Sequence, residues 1–213
     1  MKKIFALLSA VIGIVCASSA NAAVITLNDI ARGAYNNSGT FGTGGSGTAT
    51  GNYITENIYH SFFGFDLASI SGTVTSATLI LAQTGGGSTP VNLSIWDVST
   101  NYQSLVGNQG GIAAYNDLSS GMLFGSIKVT PASTGTISVT LNDDALQAIN
   151  VALGSKFALG GSLLESTYLF PSSLGAPLTQ LRLTTADVPE PAPLALLGLG
   201  FAGMSLLRRK KQS

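Results

Sequence analysis

Between residues 24 and 183, apolar side chains recur at every second position in short runs broken by Gly, Ser, Thr and Asn. Alternation sends successive side chains to opposite faces, so such runs predict half-buried β-strands. Val24-Ile25-Thr26-Leu27 opens the series. In 61–67 Phe63, Phe65 and Leu67 share one face, and in 76–83 Ala77, Leu79 and Leu81 do. Val91-Asn92-Leu93-Ser94-Ile95 alternates cleanly, as do Ile127-Lys128-Val129 and Ile137-Ser138-Val139-Thr140-Leu141, and Leu181-Arg182-Leu183 closes the set. Polar residues at alternate positions argue against doubly covered parallel strands. The expectation is an all-β domain, a sandwich or barrel, carrying one short helix. Asn142 can cap that helix, Asp143 and Asp144 suit its first turn, and Leu146, Ile149 and Leu153 fall on one face. Gly154 fits the position after its end.

Two glycine-rich stretches, 39–51 and Gly85-Gly86-Gly87, read as loops. Within the first, Gly42-x-Gly44-x-x-Gly47 formally matches a dinucleotide fingerprint. It follows no hydrophobic strand and opens no helix, so it predicts no nucleotide site.

The two ends follow other rules. Met1-Lys2-Lys3 precedes an apolar run over 4–17, and Ala20-Asn21-Ala22 supplies a small-x-small cleavage site. This is a signal peptide, 1–22, with signal peptidase expected to cut between Ala22 and Ala23. The lone cysteine, Cys16, follows Val15 rather than the small residue that lipoprotein processing needs. At the other end Val188-Pro189-Glu190-Pro191 is followed by an apolar stretch, 193–207, and then Arg208-Arg209-Lys210-Lys211. Fifteen helical residues reach about 22 Å, short of the ~30 Å hydrocarbon core. The basic cluster should stay cytoplasmic, as should Lys2 and Lys3.

These three parts in order, over 188–213, resemble the PEP-CTERM sorting tail. The resemblance implies a Gram-negative host that makes exopolysaccharide. It also implies export across the inner membrane, transient anchoring through the transmembrane helix, and processing at Pro189, Glu190 and Pro191 by an exosortase-type enzyme. The destination it implies is the cell surface or an extracellular, biofilm-like matrix. A second resemblance lies in the body, 23–187. Phe62-Phe63-Gly64-Phe65-Asp66-Leu67, then Ile70-Ser71-Gly72-Thr73-Val74-Thr75-Ser76-Ala77-Thr78-Leu79, is similar to the signature of disaggregatase-related (DNRLRE-type) modules. Ile95-Trp96-Asp97-Val98 stands where those modules place their next core strand. That likeness covers about 61–98, and it implies a jelly-roll sandwich kin to carbohydrate-binding modules, with no catalytic residues to transfer.

Charge sharpens the picture of partners. The formal net charge of zero conceals an acidic body: within 23–187 four basic residues face nine acidic ones, a net −5. Nucleic acid binding needs clustered Lys and Arg, so nucleic acid is excluded as a partner. With one Cys, inside the signal peptide, and one His, His60, neither redox nor zinc chemistry has its ligands. No Gly-x-Ser-x-Gly elbow is present, and Glu56, Asp66, Asp97, Asp117 and Glu165 are scattered along the chain. The protein is therefore expected not to be an enzyme, and His60 reads as a strand residue. No cofactor is expected. A structural calcium is an option through Asp29, Asp66, Asp97 or Asp117, although no Asp-x-Asp-x-Asp loop occurs.

Trp96 is the candidate glycan contact. Aromatic faces suit the C–H faces of sugars, and Trp96 is out of phase with Val91, Leu93 and Ile95. A surface platform and packing in a second sheet both fit that phase. The functional expectation is a structural or adhesive protein of the polysaccharide matrix, with weak carbohydrate binding. An ice- or surface-binding protein is the alternative, although Thr48-x-Thr50 and Thr73-x-Thr75 form no repeat. A polysaccharide-active enzyme is a third reading.

Overall fold

Alternating apolar residues bury one face of a strand and leave the other to water or to a second layer. In the computed structural model of the protein they do so across two sheets. The structure describes residues 22–42, 49–54, 56–83, 90–130, 135–165, 167–169 and 179–186. Residues 23–185 form one compact unit. Residues 1–21, all but the last of the expected signal peptide, residues 187–213, which include the expected tail at 188–213, and the glycine-rich 43–48 and 84–89 lie outside the described residues.

Eleven strands are described: β1 (Ala22–Asn28), β2 (Ala31–Asn36), β3 (Thr50–Ile54), β4 (Asn57–Asp66), β5 (Thr73–Gln83), β6 (Val91–Trp96), β7 (Leu123–Val129), β8 (Gly135–Thr140), β9 (Lys156–Leu163), β10 (Tyr168–Leu169) and β11 (Gln180–Ala186). A four-stranded sheet has the order β1-β11-β5-β8. A seven-stranded sheet has the order β10-β3-β4-β9-β6-β7, with β2 also paired to β4. Antiparallel registers include Phe63↔Leu159 between β4 and β9 and Leu79↔Val139 between β5 and β8.

Residues predicted to share a face meet in one core. Phe63, Phe65 and Leu67, Ala77, Leu79 and Leu81, and Val91, Leu93 and Ile95 are all buried there. Leu181, Leu183, Ile137 and Val139 join them from the smaller sheet. A second cluster packs on the opposite face of β4, where Phe62 and Tyr35 meet Leu105, Ala114 and Leu118. Its lid is a helical segment between β6 and β7, formed by α1 (Tyr102–Val106) and α2 (Gly111–Asp117).

That lid corrects the expectation of a single helix, since three are described. The predicted one is α3 (Asp143–Val151), where Asn142 Oδ1 accepts from the backbone N–H of Ala145 and Ile149 is buried. At five and seven residues α1 and α2 are too short to show a 3.6-residue period, and isolated helices of that length are unstable. They stand because Asn101 caps α1 and because Tyr35 Oη donates to the Leu105 carbonyl at 2.8 Å. The glycine-rich loop is corrected too: Thr50 and Gly51 belong to β3, and Phe41 bridges to Tyr35. Strand β9 escaped the pattern because Gly160-Gly161 reads as a break. Gly160 is required there, since a β-carbon would stand 2.8 Å from the Leu118 carbonyl oxygen.

Candidate functional site

In β6 the inward Val91, Leu93 and Ile95 leave Asn92, Ser94 and Trp96 on the outer face of the larger sheet. Antiparallel pairing then sets a row of polar neighbours beside them. Asn92 lies opposite Lys128, and Ser94 lies opposite both Ser126 of β7 and Ser162 of β9. Trp96 pairs with Gly160, so no side chain on β9 stands directly across from the indole.

The indole is fixed in place. Trp96 Nε1 donates to Ser162 Oγ at 2.8 Å, and the ring belongs to neither apolar cluster. It is part exposed, while Ser94 and Ser162 at its side are buried. At the margin, Glu165 accepts from the Asn92 backbone N–H at 2.8 Å and from the Asn92 side-chain amide. The backbone N–H of Asn92, with help from its side chain and from Lys128, holds the Glu165 carboxyl below its ordinary range. This face therefore offers one aromatic plane, an amide, hydroxyls, an amine and an ionised carboxylate. Such a set suits a polyhydroxylated ligand laid on an aromatic ring.

The other candidates are dispersed. His60 sits buried in β4, its Nδ1 2.8 Å from the Tyr115 carbonyl oxygen and its ring stacked on Tyr115 at 4.1 Å. Burial lowers its pKa, which favours the neutral ring. The four calcium candidates serve separate structural roles. Asp29 pairs with Arg32 at 3.5 Å, Asp66 accepts from Ala68 N–H, and Asp97 accepts from Met122 N–H. Asp117 accepts from the hydroxyls and N–H groups of Ser99 and Thr100. Among the described residues no three His, Cys, Asp or Glu side chains come together as a metal site. Ala22 and Ala23 begin β1. Ala20, Pro189, Glu190, Pro191, Arg208, Arg209, Lys210 and Lys211 lie outside the described residues.

Asp117 yields a pH prediction. Burial alone would raise its pKa, but the bonds from Ser99 and Thr100 outweigh burial, and the net shift is downward from 3.8. A lowered carboxyl pKa adds stability above the unfolded-state value, and that stability is lost as pH falls through the folded value. Asp117→Asn is expected to weaken the protein at neutral pH and to flatten acid unfolding below about pH 4. Thermal melts across pH 2–7 read both effects. An unchanged acid limb would assign that sensitivity to other carboxyls.

Sequence reasoning singled out Trp96 as a candidate but did not name Asn92, Ser94, Ser162 or Glu165 as its neighbours. The polar phase of 91–96 carried the signal for the first two. Ser162 and Glu165 come from the far end of β9 and the turn after it, a pairing that no local pattern encodes. Comparison with known families matches residues 187–211 to the PEP-CTERM protein-sorting motif. The match lies outside 61–98 and lends no support to the resemblance seen there. No curated protein matches the chain. The motif carries exosortase processing, and it marks this chain as an exported protein sorted to the cell surface.

Proposed function

We propose that the sorted body is a non-catalytic module of the extracellular matrix that contacts neutral polysaccharide through the outer face of its larger sheet. The observation that carries this reading is the indole of Trp96, held on that face by Ser162 with polar side chains around it. The ring is outside the apolar core, which favours a platform over packing. Both oxygens of Glu165 are engaged by Asn92, which leaves the carboxylate a positioning role rather than that of a free acid or base. The net −5 of 23–187 disfavours anionic polymers, whereas neutral sugars are indifferent to it. The role is structural or adhesive, in a matrix to which an exosortase delivers the protein.

The strand order supports a jelly-roll reading of the body. Without the additional β2, β3 and β10, it reduces to β1-β11-β5-β8 and β4-β9-β6-β7. Eight strands split in this way fit two interlocked Greek keys.

Trp96→Ala tests the binding face. Retention of the exported protein on the host's neutral exopolysaccharide should fall at least tenfold, with wild-type retention nearly flat between low and physiological salt. The melting temperature should move little, because truncating a core aromatic costs about 3–5 kcal/mol and this ring is not in the core. A large drop in stability, or unchanged retention, would overturn the platform reading.

A further inference from the structure

The first and last described residues, Ala22 and Ala186, lie at one end of the smaller sheet. Strands β1 and β11 are hydrogen-bonded neighbours. The Asp29 N–H donates to the Thr179 carbonyl at 2.8 Å, and Gln180 Nε2 donates to Asn28 Oδ1 at 3.0 Å. The end of β1 thus lies beside the start of β11. The two run antiparallel, and Ala22 emerges beside Ala186. On the other side of β11, Thr75 Oγ1 donates to the Thr184 carbonyl at 3.2 Å, which brings the start of β5 to the same end. Asn150 brackets Val74, accepting from its N–H at 2.8 Å and donating to its carbonyl at 2.9 Å. Val151, the last residue of α3, follows directly.

This end has its own surface chemistry. Once Ala22 is removed, Ala23-Val24, Thr73-Val74-Thr75 and Thr184-Thr185-Ala186 carry no charged side chain, and the charge among them is the new α-ammonium of Ala23. Val24 is 67% exposed and Val151 82%, two of the three most exposed large apolar side chains among the described residues. The apolar stretch of the tail starts at Pro193, and the intervening chain reaches at most about 25 Å. While that stretch is in the bilayer, no other part of the body is tethered so closely to it. A short tether gives even a weak surface contact a high effective concentration.

We propose that this sheet end is a lipid-contacting surface, which lays the body on the outer leaflet of the inner membrane through Val24, Val151 and strand ends free of charged side chains until the tail is cut. The proposal rests on the tail acting as a membrane tether. It adds the orientation in which the processing enzyme meets its substrate, with the sheet end down and the Trp96 face unconstrained by the contact.

The mature chain has no cysteine once Cys16 is removed with the signal peptide, so single reporters are simple to place. Val24→Cys, Val151→Cys and Asn28→Cys are made in the chain from Ala23 to Ser213, produced without an exosortase. Each is labelled with a fluorophore and reconstituted into phosphatidylcholine vesicles carrying nitroxide lipid. Thermal melts verify that each variant folds like wild type. Asn28 is the control, four residues and about 13 Å along the same strand from Val24. Quenching at 24 and 151 should exceed that at 28 at least twofold. Equal quenching at all three positions, or none in protein that floats with the vesicles, overturns the proposal while leaving the tether intact. Protein that does not float with the vesicles overturns the tether reading, and the proposal with it.

Discussion

Glu190→Ala is expected to leave export untouched and to trap the protein in the inner membrane with its tail uncut. Residues 187–211 match the sorting motif, and Glu190 is the one charged group between its two prolines. Glu190 is the ionisable side chain that an enzyme reading the Pro-Glu-Pro sequence can recognise. Alanine removes the charge and leaves both prolines in place. Fractionation and mass spectrometry should find full-length mature protein, beginning at Ala23, in the membrane fraction and almost none at the surface. Release and surface display at wild-type levels would refute sorting through this motif.

Phe65→Ala should lower folding stability by about 3–5 kcal/mol. Phe65 is fully buried, on the face of β4 that packs with Leu79, Leu93 and Leu159 in the core between the sheets. Truncation loses the transfer energy of the ring and leaves a cavity that paired strands on both sides of β4 cannot collapse to fill. For a domain with a total of about 5–15 kcal/mol, that loss populates the unfolded state or abolishes folding. Urea unfolding of the mature protein measures it. A loss below about 1 kcal/mol would mean that the core closes over the gap. Trp96→Ala, on the opposite face of the same sheet, is the informative contrast because it should reduce binding more than stability.

Both predictions separate what local pattern encodes from what assembly adds. Alternation placed Phe63, Phe65, Leu79, Leu93, Val139 and Leu183 on inward faces because a half-buried strand must sort its side chains with period two, whatever its neighbours are. The helix at 143–151 was equally legible, since its cap and its apolar stripe are both local. The C-terminal address was legible for a different reason. A processing enzyme reads it as a linear segment, so residue order alone carries it.

What only the tertiary structure decided depends on pairing between distant parts of the chain. The lid of α1 and α2 exists because Tyr35, more than sixty residues earlier, anchors its carbonyls, and Gly160 is needed because Leu118 settles over it. The Trp96 face needs Ser162 from β9, and the joint exit of Ala22 and Ala186 needs the first and last strands of the body side by side. Strand order fixes such contacts through hydrogen bonds between backbone groups that every residue possesses, so the side-chain pattern along the chain does not specify them.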